Sequence, residues 1–337
     1  MDKVIKKDLI GSFLDQLATK HHLIAPVSEA SVVLYRPVTS GQQVVLDVVN
    51  TTVSPKGAFF PQWETMYQYD TQQGQPQITE CPEVSEQVLF GVRPCDLMAI
   101  RHLDPVFDGK FKDYYYQTRR EKTIIIGVSC PSVAHTCFCT AFGGSPVDNR
   151  GADVMFYDLG DRYAVEILTE KGEKLQSILT SFWSEELDVA AKVSKVGEEL
   201  AAQCKAVDLN GVKETCDGAF ESPYWSKLSL KCLNCGTCTY VCPTCHCFDV
   251  VDEGHCGQGQ RYRCYDSCMY SDFTLAAGGH NPRPSKKERV RNRFLHKLKY
   301  HLDRYDLAGC VGCGRCIYKC PVNVDITRVI SDIKAVN

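Results

Sequence analysis

An α/β N-terminal domain followed by a mainly α-helical C-terminal domain rich in cysteine is the fold that the sequence predicts. Three observations carry it. Apolar, β-branched runs alternate with a helical pattern over roughly the first 150 residues. Of the 20 cysteines, 13 lie between Cys232 and Cys320. Capped segments with helical periodicity then occupy the end of that cysteine-rich stretch. The divisions follow: 1–150 as the α/β domain, 151–225 as a hairpin, helix and linker segment, and 226–337 as the cysteine-rich domain.

Asp8 to Lys20 carries Leu9, Ile10, Phe13, Leu14 and Leu17 on one helical face. Val32-Val-Leu-Tyr, Val44-Val-Leu-Asp-Val-Val, Val88-Leu-Phe-Gly-Val and Thr123-Ile-Ile-Ile-Gly-Val read as strands. The last two are continuous apolar runs, as strands buried on both faces require. Asp153 to Leu168 reads as a hairpin turning at Gly160-Asp161, and Glu185 to Lys205 as a helix, with a polar linker to Tyr224. Ser285-Lys-Lys-Glu288 is a capping box for a helix bearing Val290, Phe294, Leu298 and Leu302. Asp325 caps a last helix through Ile326, Val329, Ile330 and Ile333.

A hydrophobic fraction of 44% and a charged fraction of 23% are those of an ordinary globular protein. The net charge of −3 argues against general nucleic-acid binding. No stretch is apolar for long enough to cross a bilayer, and Met1-Asp-Lys-Val-Ile-Lys-Lys lacks the apolar core of a secretory signal. A cytoplasmic location is expected, and thiols in a reducing compartment read as metal ligands rather than disulfides.

The spacing of those thiols is specific. Cys232-Leu-Asn-Cys235-Gly-Thr-Cys238-Thr-Tyr-Val-Cys242-Pro243 and Cys310-Val-Gly-Cys313-Gly-Arg-Cys316-Ile-Tyr-Lys-Cys320-Pro321 are two full copies of the bacterial ferredoxin run. Three cysteines two residues apart wrap one cubane, and the fourth ligates the other cluster. Cluster one would use Cys232, Cys235, Cys238 and Cys320; cluster two would use Cys310, Cys313, Cys316 and Cys242. A dicluster ferredoxin-like domain with two [4Fe–4S] clusters is therefore expected. Zinc sites, by contrast, show paired C-x-x-C units further apart.

A third iron–sulfur site is expected upstream. Cys95 and Cys130 each follow an apolar strand, and ligands of open α/β sheets gather at the carboxyl ends of strands. Cys137 and Cys139 lie in the next loop, and Asp96 is a substitute ligand. Zinc, a reversible thiol pair and ordinary buried cysteines stay open there. Cys245, His246 and Cys247 are read as packed beside a cluster, with a further metal site including Cys268 as the alternative. Cys81, Cys204, Cys216, Cys256 and Cys264 are read as structural. Arg283 to Arg304 holds nine lysines and arginines against Glu288 and Asp303. They form a solvated face, or one that offsets cluster charge or meets an acidic partner.

Leu228 through the first run to Val250, Phe59-Phe-Pro-Gln-Trp-Glu, Gly91-Val-Arg-Pro-Cys-Asp-Leu-Met-Ala-Ile, Gly127-Val-Ser-Cys through Thr136-Cys-Phe-Cys, and Ala277-Gly-Gly-His-Asn-Pro-Arg-Pro together resemble one family from about residue 55 onwards. It comprises the iron–sulfur beta subunits of sulfhydrogenases and the corresponding iron–sulfur subunits of anaerobic sulfite reductases. The resemblance implies an electron-transfer subunit of a hetero-oligomer. Its partners would be a flavin/NAD(P)-binding reductase subunit and a catalytic redox subunit of siroheme sulfite reductase or nickel–iron hydrogenase type.

No G-x-G-x-x-G follows a strand, and there is no P-loop or nucleophile constellation, so the chain is expected to bring no flavin, nicotinamide or catalytic residue of its own. The rival readings are a stand-alone enzyme using the upstream cysteines for substrate, a donor to a heterodisulfide-reductase-type complex, and a redox sensor, for which no output module is visible.

Overall fold

A run that is apolar at every position pairs stably only where both faces of a sheet are covered. The computed structural model describes residues 2–72, 74–80 and 84–336, and its strands are β1 (Lys3–Lys6), β2 (His22–Glu29), β3 (Val32–Val38), β4 (Trp63–Asp70), β5 (Gln77–Glu80), β6 (Gln87–Val92), β7 (Thr123–Val128), β8 (Val154–Asp158), β9 (Arg162–Ile167), β10 (Ser184–Glu185), β11 (Phe248–His255) and β12 (Gln258–Tyr265). Eight of them form one sheet in the order β10-β1-β9-β8-β7-β6-β2-β3. Its centre, β2-β6-β7-β8, is parallel, and every residue of β6 and β7 is buried.

The two faces are filled by alternate residues. Val88, Phe90, Ile124 and Ile126 pack with Phe13, Leu14 and Leu17 of the helix Ile10–Lys20. Leu89, Val92 and Ile125 pack on the other side with Leu97, Ile100 and Leu103 of the helix Pro94–Phe107. Truncating a fully buried phenylalanine such as Phe90 to alanine would cost about 3–5 kcal/mol.

Three expectations need correction. Val44–Val49 is not a strand beyond a single bridge from Val44 to Val27. Its carbonyls are taken by a buried arginine instead: Arg93 donates to Leu46 O and, at 2.7 Å, to Val48 O. The helix expected over 185–205 is shorter, Val189–Ala201, and the linker beyond it contains a further helix, Val212–Gly218, whose Val212 and Cys216 enter a core. The cysteine-rich region, expected to be mainly helical, also contains strands. β11 and β12 form a hairpin that pairs with β4 to give the second sheet, β11-β12-β4-β5. Its turn is Cys256-Gly257, both at positive φ, as two-residue hairpin turns require; cysteine at the first position hides that signal.

The helices of the cysteine-rich region close around a separate apolar core. Trp225, Val290, Phe294, Leu298, Ile326, Val329, Ile330 and Ile333 meet there. The capping box at Ser285 and Glu288 is formed, and Asp325 Oδ1 accepts from Thr327 N at 2.8 Å at the start of Ile326–Val336. Past Leu295 the helix runs through a π turn, His296–Tyr300, which places Lys297 and Leu298 inside.

Candidate iron–sulfur centres

The two cysteine runs fold alike. Asn234 and Gly236 in the first, and Gly312 and Gly314 in the second, all adopt positive φ between 63° and 75°. Each pair of kinks turns the chain back on itself within its cysteine run. A single helical turn then follows, Thr237–Tyr240 or Arg315–Tyr318, and the two turns pack against each other. Backbone amides point at the sulfurs: Asn234 N–H donates to Cys232 Sγ at 3.3 Å, Gly312 N–H to Cys310 Sγ at 3.5 Å, and Val324 N–H to Cys320 Sγ at 3.2 Å.

The fourth cysteine of each run lies beside thiols of the other run. Cys232, Cys235, Cys238 and Cys320 line one cavity, walled by Met269, Val290 and Phe294. Cys310, Cys313 and Cys316 each have Cys242, from the first run, as an electrostatic neighbour. Burial pushes Cys310 up to about 12, so these thiols need a cation or metal to ionise. The two groups adjoin, since Cys316 also faces Cys238.

Charge decides what fits between them. Lys56, Arg293 and Lys297 are at most 4% exposed, and none pairs with a carboxylate among the described residues. Lys297 Nζ donates to Cys242 Sγ at 3.1 Å, to Thr244 Oγ1 at 3.3 Å and to Gly309 O at 2.9 Å. Burial would discharge it, yet Cys242, Cys245 and Cys310 hold it above its ordinary value. Arg293 Nε has no hydrogen-bond partner among the described residues. Uncompensated buried cations cost several kcal/mol each, whereas cubanes held by four thiolates are anionic. The residues therefore fit [4Fe–4S] clusters, and the basic stretch 283–304 turns three of its cations, Arg289, Arg293 and Lys297, inward rather than to solvent.

Upstream, β6 and β7 are parallel neighbours, so Cys95 and Cys130 leave the same sheet edge. The thiols then sort themselves. Cys130, Cys137, Cys139 and Cys204 are each an electrostatic neighbour of the other three, and Cys139 hydrogen-bonds Cys204. Burial lifts Cys130 to about 12. Cys95 packs in one buried cluster with Cys139 and Cys313, against which Cys204 also lies; it has Cys130 beside it and Asn50 Oδ1 at 3.5 Å. Asp96 is no substitute ligand, because both its oxygens are held by Arg315 at 2.7 Å. Cys204 was invisible in the sequence, a lone thiol past a helix end. Its place is fixed by Lys205 N–H, which donates to Cys137 O at 2.9 Å.

Of the remaining thiols, Cys245 hydrogen-bonds Cys242, and Cys247 hydrogen-bonds Cys268. The bond from Cys268 draws Cys247 down to about 7. Cys216 is buried in an apolar core, Cys256 is exposed at the hairpin tip, and Cys264 lies on β12. Cys81 lies outside the described residues. No three His, Cys, Asp or Glu side chains among the described residues are arranged to hold a single metal ion, and no helix among them is long and apolar enough to cross a membrane.

Comparison with known proteins supports an iron–sulfur role for the C-terminal region. Residues 231–324 match the 4Fe-4S dicluster domain family, which makes two [4Fe–4S] clusters the cofactors of that region. Over 337 residues the chain is 32% identical to Sulfhydrogenase 2 subunit beta of Pyrococcus furiosus, covering 98% of this chain and 97% of the relative. No solved structure matches.

Proposed function

Because the chain belongs to the sulfhydrogenase beta-subunit family, we propose that it is a cytoplasmic electron-relay subunit between a flavin/NAD(P)-binding reductase subunit and a catalytic redox subunit. A nickel–iron hydrogenase type of catalytic subunit is the first choice, given the relative's name, and a siroheme sulfite reductase type the second. Cys232, Cys235, Cys238 and Cys320 hold one cluster; Cys310, Cys313, Cys316 and Cys242 hold the other. A third iron–sulfur cluster sits upstream on Cys130, Cys137, Cys139 and Cys204, with Cys95 standing between it and Cys313 rather than among its ligands.

One observation supports a relay above all. The three thiol groups form a continuous line, Cys130 to Cys95 to Cys313 on one side and Cys316 to Cys238 on the other. The line starts at the sheet edge and ends at Cys235, which is exposed and flanked by exposed Leu230, Leu233 and Tyr270. Iron–sulfur clusters supply one-electron transfer when bound. The chain's own residues exclude water from the middle group, hold Lys297 and Arg293 against it, and aim backbone amides at the sulfurs. The test is reduction of the purified subunit by NAD(P)H: it should require the flavin subunit, and turnover of hydrogen or sulfite should require the catalytic subunit. Turnover by the isolated chain with an artificial donor would contradict the proposal and favour a stand-alone enzyme.

A further inference from the structure

Three histidines outside the cysteine groups share one place in the fold. His246 follows the first cysteine run, and His296 and His301 lie where the helix begun at Ser285 passes through its π turn. Residues five apart face different ways on an α-helix, but a π turn closes residue i onto i+5. Here that bond runs from His301 N–H to His296 O, so the turn brings the two side chains together. Their ring centroids are 5.9 Å apart, and the His246 ring completes a triangle at 5.5 Å from His296 and 6.0 Å from His301. The rings are splayed at 55–69° to one another rather than stacked.

Hydrogen bonding fixes what two of the rings present. His246 Nδ1 lies 3.0 Å from Thr244 O, and His301 Nδ1 lies 2.7 Å from Leu307 O. A carbonyl only accepts, so both Nδ1 atoms carry the hydrogen and both Nε2 atoms keep a bare lone pair. His301 is 1% exposed, and its Nε2 has no hydrogen-bond partner among the described residues. Anchoring of one ring nitrogen on a backbone carbonyl, with the other left free, is how metal-binding histidines are held. His296 makes no side-chain hydrogen bond among the described residues, so its ring is free to turn.

As they stand, the three side chains are not arranged about a single ion, but the adjustment is small. Zinc–nitrogen bonds of about 2.0–2.1 Å at tetrahedral angles set three imidazole centroids about 5 Å apart, so each ring has to shift by less than about 1 Å. The nearby cations are turned elsewhere, Lys297 Nζ to Cys242 Sγ and Lys56 Nζ to Cys245 O at 2.6 Å. Burial holds His246 down at about 4 and His296 at about 3, and neutral imidazole is the form that binds metal. We propose that His246, His296 and His301 bind one divalent cation of the zinc type through their Nε2 atoms, at a site separate from the iron–sulfur centres. Its fourth position is open to water past the half-buried His246 and His296. The ion clasps the loop after the first cysteine run to the π turn.

The test loads the anaerobically purified holoprotein with one equivalent of zinc ion and records the zinc K-edge X-ray absorption fine structure. The expected first shell is nitrogen and oxygen at about 2.0–2.1 Å, with the outer-shell scattering of imidazole and no sulfur. Competition with a chelator should show zinc held at least about 100-fold more weakly by His296→Ala, with iron per chain unchanged. His296→Cys should recover binding and add one sulfur at about 2.3 Å. A wild-type shell dominated by sulfur would put the zinc on thiols and overturn the site. Failure of the wild type to retain zinc, or equal affinity in the wild type and His296→Ala, would overturn it too. The wild-type spectrum decides the matter even where a variant fails to fold, and none of these outcomes bears on the relay.

Discussion

Arg315, one residue before Cys316, forks onto Asp96, one residue after Cys95, through two 2.7 Å bonds, and both side chains are at most 3% exposed. The same guanidinium donates from Nε to Thr51 O at 2.9 Å and from Nη2 to Thr51 Oγ1 at 3.1 Å. One arginine thus ties the second cysteine run to the helix that leaves β6. Removing a partner from a buried pair leaves an uncompensated charge and costs about 3–5 kcal/mol. Asp96→Asn should lose that much in chemical denaturation and release iron from the second group before global unfolding. A variant of wild-type stability and iron content would contradict the pair's joining role.

Lys297 is the cation closest to Cys242. Replacing it with methionine removes a positive charge from beside the second cluster and disfavours the added electron there. At an effective dielectric of about 20, one charge some 5–6 Å away shifts a one-electron potential on the order of 100 mV. Potentiometric EPR of Lys297→Met should show one cluster more negative by that amount and iron content unchanged. An unshifted potential would mean that Lys297 serves packing alone.

Gly314 sits at φ +75°, and a Cβ there would lie 2.4 Å from Thr136 O. Gly312 is similar, with Phe138 O at 2.4 Å, and its own carbonyl accepts from Phe138 N–H at 2.9 Å. The second run is therefore seated backbone to backbone on the Thr136–Cys139 loop. Gly314→Ala should disturb both the second group and the upstream thiols, lowering iron per chain and the melting temperature. Gly278→Ala, where a Cβ meets nothing within 4 Å, should change neither.

His102 reports acid sensitivity. Its Nδ1 lies 2.9 Å from Ala308 O, which can only accept, so Nδ1 carries the hydrogen. Burial holds His102 down at about 4 despite that bond, with His301, Arg101 and Arg150 adding repulsion. A depressed histidine takes up its proton on unfolding. Its contribution is therefore complete above about pH 6.5 and is lost as pH falls from there to about 4, by up to about 3 kcal/mol. His102→Asn keeps a side-chain donor but cannot titrate, so its melting temperature should fall less between pH 7 and 5 than that of the wild type. Equal slopes would show that His102 is not the group that titrates.

Spacing made the two cysteine runs legible, since their ligand exchange follows from chemistry fixed within twelve-residue windows. The central strands were legible for the same local reason: uninterrupted apolar runs such as Thr123–Val128 have few other homes. What failed was what depends on distant partners. Val44–Val49 has strand composition, yet Arg93 claims its carbonyls. β11 and β12 alternate weakly and find their partner in β4, far away in the chain. Cys204 carried no motif and joins Cys137 only through tertiary structure, and the packing of Cys95 beside Cys313 as well as Cys139 depends on the fold.

The upstream cluster is the central claim, and iron and acid-labile sulfide per chain on anaerobically purified protein, with EPR through a reductive titration, test it most directly. The account predicts about twelve irons in the wild type, about eight in Cys204→Ala with one EPR signal gone, and about twelve in Cys95→Ala. About eight irons in the wild type, unchanged in Cys204→Ala, would contradict it and leave a two-cluster subunit whose α/β domain serves for docking.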